Sequence, residues 1–290
     1  MFAENVLQNR KILVTGGGTG IGKSLAARFL ELGAEIVICG RREAVLRETT
    51  EAWGRAGGGA SYQVCDVRKP DAVEAMFERI WQDGPLDGLV NNAAGNFIAR
   101  TETLSPRAFD AVVNTVLHGS AYCSIAAGRR WIADKHRGVI LSIVTSAAWQ
   151  GRAYMVPSAT SKAGVLSLMR SLAVEWGPKG IRTAVVSPGI FPTSGAAVRL
   201  YPDPKEYEAQ VARVPAGRVG DHGELANLCS YLMSDFASFI NGDCITMDGG
   251  AALLEGGGGT VHYLRDWTPE QWEEFRTRST RLAAETPNAG

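Results

Sequence analysis

Short apolar runs alternate with amphipathic stretches along almost the whole chain. Lys11–Thr15 has the length and composition of a buried strand, and the segment after it carries Ile21, Leu25, Phe29 and Leu32 at helical spacing. Ala34–Cys39 predicts the next strand, a charged helix follows from Arg42, and Tyr62–Val67 predicts a third strand. Val73, Met76, Phe77 and Ile80 share one helical face before a strand at Leu86–Asn91. Val139–Val144, Arg182–Ser187 and Cys244–Met247 predict further strands with helices between them. Strands that alternate with helices return to the sheet in parallel and carry helices on both faces. About seven strands without an interdomain linker predict one doubly wound α/β domain over residues 1–250.

Two segments fall outside that rhythm. Phe191–Gly220 is rich in Pro, Gly, Tyr and charge, and reads as a substrate loop or an ordinary surface excursion. After Asp248-Gly249-Gly250 the chain continues as an extension over 251–290. There Thr268-Pro269-Glu270-Gln271 has capping-box spacing with proline at the first helical position, which predicts a helix. Trp272 and Phe275 of that helix pack either on the same domain or on a neighbouring subunit.

Composition narrows the partners. Of 290 residues, 45 % are hydrophobic and 21 % charged, with 30 basic side chains against 30 acidic ones. That balance gives no field for nucleic acid or a membrane surface, and no apolar run approaches the ~20 residues needed to span a bilayer. Five scattered cysteines without paired spacing predict reduced thiols and no metal site. Met1–Asn5 has no basic-then-apolar leader and the chain does not end in Ser-Lys-Leu, so a cytoplasmic enzyme is expected.

Candidate chemistry begins at Thr15-Gly16-Gly17-Gly18-Thr19-Gly20-Ile21-Gly22, between the first strand and the first helix. Glycines let the backbone turn tightly and approach a pyrophosphate, which a helix N-terminus attracts. The second strand ends Cys39-Gly40-Arg41-Arg42, with no acid before Glu43. A carboxylate there suits the ribose hydroxyl of NAD, whereas the planar fork of arginine suits the 2′-phosphate of NADP. NADPH is therefore the expected cofactor, held by Arg41 and then Arg42.

Three more runs complete a pattern: Asn91-Asn92-Ala93-Ala94-Gly95, Ser158 four residues before Lys162, and Ser187-Pro188-Gly189-Ile190. With the glycine turn they make the chain resemble the short-chain dehydrogenase/reductase family over residues 10–250. That resemblance implies a Rossmann-like sheet and a homotetramer. It also implies that Asp66 and Val67 meet the adenine side, Asn92 and Ala93 the ribose region, Lys162 the nicotinamide ribose, and Pro188, Gly189 and Ile190 the nicotinamide end. Within the family, Asn96-Phe97-Ile98, Leu104-Ser105-Pro106, Val156-Pro157-Ser158-Ala159, Ala173-Val174-Glu175-Trp176-Gly177 and Ile240-Asn241-Gly242 resemble the NADPH-dependent 2,4-dienoyl-CoA reductases. So does the tail around Glu270-Gln271-Trp272. These enzymes assist fatty-acid β-oxidation and carry serine where most of the family carries a tyrosine acid. The resemblance implies an acyl-CoA thioester substrate, with Asn96 donating to its oxygen, Ser158 supporting that network, and Arg68, Phe97, Ser105 and Arg199 contacting the acyl-CoA.

The chain departs from this subgroup at its proton donors. The mitochondrial-type tyrosine lies fifteen residues before the lysine, and Ala147 stands there; the peroxisomal-type aspartate aligns with Val116. Tyr154, His118 or a water held by Ser158 are the candidate replacements. Two further readings stay open: a carbonyl or hydroxysteroid-type oxidoreductase with an unorthodox acid, and a non-catalytic NADPH-binding protein.

Overall fold

The computed structural model describes residues 5–55, 59–193, 204–255 and 262–285. Its strands are β1 (Lys11–Thr15), β2 (Glu35–Gly40), β3 (Ala60–Val64), β4 (Gly88–Asn91), β5 (Gly138–Ile143), β6 (Ile181–Pro188) and β7 (Cys244–Met247). All seven pair in parallel, in the order β3-β2-β1-β4-β5-β6-β7. The helices are α1 (Gly20–Glu31), α2 (Glu43–Arg55), α3 (Pro70–Gln82), α4 (Pro106–Val113), α5 (Gly119–Asp134), α6 (Ala147–Gln150), α7 (Val156–Trp176), α8 (Pro204–Arg213) and α9 (His222–Met233).

Side-chain alternation along each strand feeds two cores, one per face of the sheet. Leu13, Val37, Cys39, Ile140 and Val185 point to one side, where α3, α5 and α7 cover them with Phe77, Trp131 and Met169. Ile12, Val14, Ile36, Ile38 and Leu141 point to the other and meet Leu25 and Phe29 of α1 and Leu225 and Cys229 of α9. The result is the doubly wound parallel sheet expected from the sequence. Chain order runs outward in both directions from β1 and β4, which opens a crevice at their carboxyl ends.

Boundaries differ where side chains replace the backbone ladder. β3 stops at Val64, three residues short of the expected Val67. At that point Asp66 turns the chain: its side chain accepts from the Arg68 N–H at 3.2 Å and its carbonyl from the Lys69 N–H at 3.0 Å. Between α4 and α5, Asn114–His118 adopts a π-helical turn that the apolar spacing did not signal.

Gly250–Gly290 forms a second unit. It holds α10 (Ala251–Glu255) and α11 (Pro269–Glu285). The anticipated capping box is present: Thr268 Oγ1 accepts from the Gln271 N–H at 3.3 Å, and Gln271 Oε1 accepts from the Thr268 N–H at 2.8 Å. Trp272 and Phe275 meet a partner of their own segment, with ring centroids 5.0 and 5.6 Å from Trp267. No described helix is long and apolar enough to cross a membrane, and the five cysteines are free.

Candidate active site

The glycine turn leaves β1 with its conformation dictated by contacts. Gly16 and Gly20 have φ of +66° and +55°, in the left-handed region that favours glycine. A Cβ on Gly22 would lie 2.6 Å from the Gly16 carbonyl oxygen, so any side chain there would push the helix off the strand. α1 begins with its cap residue Thr19 making no side-chain hydrogen bond and no acid in its first turn. The N-terminal amides and the positive end of the helix dipole are thus left for an anion.

Thr15 and Asn92 build the floor of this crevice. The buried Thr15 hydroxyl donates to the Val90 carbonyl at 3.1 Å and accepts from the Asn92 and Ala93 N–H groups at 3.0 Å each. Asn92 Nδ2 donates to the Thr15 carbonyl at 2.9 Å. The Thr15 hydroxyl is therefore fully committed to tying β1 to β4. Only its backbone is left for a cofactor to meet. Ala93 packs against Gly16, and Ile21 is half-buried on the rim.

At the end of β2, Arg41 and Arg42 are both exposed and make no ion pair among the described residues. Asp66 and Arg68, expected to serve different ligands, pair with each other at 2.6 Å. That guanidinium holds the Asp66 carboxyl below the usual carboxylate range. Val67 is buried against Gly119. Pro188, the last residue of β6, is buried; beyond it Gly189 passes close enough to Asp248 that a Cβ would lie 2.7 Å from it, and the Ile190 carbonyl accepts from the Gly220 N–H at 2.9 Å.

The candidate reacting residues lie between β4, β5 and α7. Asn96 Oδ1 accepts from the Phe97 N–H at 2.9 Å, which turns its amide nitrogen outward toward Met155 Sδ at 3.5 Å. Phe97 rests on the core. Pro157 lies in the first turn of α7, and Ser158 and Lys162 follow one turn apart on a buried face. The Ser158 hydroxyl makes no hydrogen bond among the described residues. Lys162 Nζ donates to the Ile143 carbonyl at the end of β5, and burial brings its pKa down to about 8.

No acid occupies either subgroup position. Val116 is a core residue and Ala147 opens the short helix α6. Tyr154 is 60 % exposed with φ of +62°, and its carbonyl accepts from the Ala99 N–H at 3.0 Å. That bond joins the Asn96 loop to the entry of α7. His118 is exposed, bonds Asn114 at 2.8 Å and packs on Tyr122. Ser105 caps α4 by accepting from the Ala108 N–H at 3.2 Å. Arg199 lies outside the described residues. Met155 and Thr193, whose methyl flanks Gly20, join the site without any signal in the sequence pattern.

Residues 16–252 match the family model described as Enoyl-(Acyl carrier protein) reductase. The chain belongs to the short-chain dehydrogenase/reductase family. It is therefore an oxidoreductase built around a nicotinamide cofactor, and the glycine cradle just described fits one. A Bacillus subtilis (strain 168) protein named probable 2,4-dienoyl-CoA reductase [(2E)-enoyl-CoA-producing] is 44 % identical over 249 residues, 85 % of this chain and 98 % of its own. The crystal structure of a short-chain dehydrogenase from Bacillus anthracis superposes with a TM-score of 0.77 at 39 % identity, covering 83 % of this chain and 96 % of that one. A gluconate 5-dehydrogenase from Burkholderia cenocepacia, solved with NADP and tartrate, superposes with a TM-score of 0.81 at 30 % identity, covering 86 % and 98 %.

Proposed function

We propose that this chain is an NADPH-dependent reductase of 2,4-dienoyl-CoA, or enoyl-CoA, thioesters, auxiliary to fatty-acid β-oxidation. The observation that carries the reading is the setting of Asn96. Its carbonyl oxygen is occupied by the Phe97 N–H, and among the described residues its amide hydrogens face only a weak sulfur acceptor. A fixed donor of this kind suits an oxygen on which negative charge develops. The Bacillus subtilis relative supports the same substrate class, and Arg41 and Arg42, exposed and without an ion pair among the described residues, support NADPH over NADH.

When bound, NADPH supplies a hydride to the far end of the conjugated acyl group. Asn96 Nδ2 then donates to the thioester oxygen as it takes up negative charge, an interaction of about 2.7–4 kcal/mol in comparable oxyanion sites. Ser158, whose hydroxyl makes no hydrogen bond among the described residues, holds a water or a second hydrogen bond beside that oxygen. The Lys162 ammonium lies one turn further along α7, where it holds the ribose and adds positive potential. Its proton is shed near pH 8, so it remains mostly charged at neutrality.

The returning proton goes to carbon, and water on Ser158 is the best-placed source. Among the described residues, the Tyr154 carbonyl bonds Ala99 and His118 meets Asn114 and Tyr122, and neither side chain bonds Ser158 or Lys162. A ketone reductase would need a proton on a nascent alkoxide, which a serine hydroxyl supplies poorly; a dienolate carbon tolerates water. A homotetramer working in the cytoplasm, with substrate contacts from Arg68 and Arg199, completes the proposal.

The test is NADPH oxidation with a medium-chain trans-2,trans-4-dienoyl-CoA beside a 2-enoyl-CoA and a simple ketone. Turnover with a thioester and none with the ketone is expected. Ketone turnover alone, or tight dinucleotide binding without turnover of any of the three, refutes the proposal.

A further inference from the structure

His222, the first residue of α9, touches two walls of the cofactor crevice at once. Its Nε2 lies 2.8 Å from the carbonyl of Pro192, in the segment that follows β6. Its Nδ1 lies 2.7 Å from Ser24 Oγ on α1, a residue 198 positions away in the chain. A carbonyl only accepts, so Nε2 donates to Pro192. Ser24 Oγ carries one hydrogen and has two neighbours, His222 Nδ1 and the Gly20 carbonyl, so this hydroxyl links the ring to the glycine turn. The ring is also braced by the edge of Phe191, with centroids 6.3 Å apart. Asp221 fixes the start of α9 through a capping box with Glu224.

What the bridge holds is the spacing of the crevice. Ser24 sits one helical turn from Gly20 and contacts its carbonyl at 3.2 Å, so it belongs to the turn that faces the pyrophosphate. On the opposite wall, Thr193 follows Pro192 directly, and a Cβ on Gly20 would lie 3.4 Å from its methyl group. Upstream, the segment is tied to the sheet by the Gly189 N–H donating to the Met247 carbonyl and by the Ile190 carbonyl accepting from Gly220. His222 extends that tether to Pro192 and anchors it on the other wall.

We infer that His222 is a positioning residue for the dinucleotide, a latch that holds the post-β6 segment at a set distance from the glycine turn. It touches neither substrate nor the reacting atoms. The inference rests on the dinucleotide lying across the glycine turn, and it holds whether the preferred cofactor is NADPH or NADH.

Dinucleotide titrations of the full-length protein, read by intrinsic tryptophan fluorescence, test it. His222→Leu keeps an apolar body in the site and removes both hydrogen bonds. It is expected to raise Kd for NADPH and for NADH by the same factor, roughly tenfold for the lost contacts, with kcat unchanged at saturating dinucleotide. His222→Gln, which keeps a donor and an acceptor, restores most of the affinity. Ser24→Ala favours the helix and breaks only one arm of the latch, so it should weaken binding less, and the double variant should be no worse than His222→Leu alone. Additive losses in the double variant, or a His222→Leu protein that binds both dinucleotides normally, overturn the latch. If the preference for NADPH itself is wrong, the NADH titration still shows the loss.

Discussion

Lys162 gives the sharpest quantitative expectation. Its ammonium is buried, has one carbonyl partner among the described residues, and has its pKa brought down from 10.5 to about 8 by loss of water. At 1.36 kcal/mol per tenfold change, holding it charged at neutral pH costs on the order of 3 kcal/mol. If the charged form is the one that works, about 90 % of the enzyme is competent at pH 7 and about 10 % at pH 9. The kcat/KM for the thioester should then fall roughly tenfold across that interval, along a limb with a midpoint near pH 8. Stability should move the other way. The folded state holds this proton less tightly than the unfolded chain, so its contribution to ΔG of unfolding rises as pH climbs from about 8 toward 10.5. Urea unfolding at each pH separates loss of activity from loss of structure. Lys162→Met, a neutral side chain of similar length, should abolish the limb and make the folded chain more stable at pH 7 by up to ~3 kcal/mol. A flat activity profile from pH 7 to 9, or a limb that persists in Lys162→Met, would show that this ammonium is not the group being titrated.

Other residues give simpler tests. Arg41→Ala combined with Arg42→Ala should cost roughly ten- to hundredfold in kcat/KM for NADPH, as expected from losing charged hydrogen bonds, and leave NADH nearly untouched. Asn96→Ala should lower kcat by about a hundredfold or more while dinucleotide Kd stays at its wild-type value, as stopped-flow binding would show. Tyr154→Phe should retain full turnover, since water on Ser158 is the proposed proton source. Gly22→Ala places a methyl group against the Gly16 carbonyl, so calorimetry should show a destabilisation of about 1–3 kcal/mol together with lost dinucleotide binding.

Local patterns wrote much of this protein. Strand alternation and helical spacing encode one-dimensional periods, so seven strands, their covering helices and even the Thr268–Gln271 cap were legible from residue order alone. The glycine turn was legible for the same reason: positive φ at Gly16 and Gly20 is a demand on single residues. Ser158 and Lys162 share a face because four residues make about one turn of helix. The tertiary structure decided which groups remain free to act. The Thr15 hydroxyl, beside the glycine turn, is consumed by β4 and the residues that follow it. Asp66 and Arg68, only two residues apart, pair with each other in the turn after β3, a contact that residue order does not announce. Met155 beneath Asn96 and the link from His222 to Ser24 arise where distant segments meet. The proton affinity of Lys162 belongs to this second class as well. Periodicity depends on neighbours in sequence, whereas desolvation and hydrogen-bond satisfaction depend on every segment that packs around a group, and only the folded chain brings those segments together.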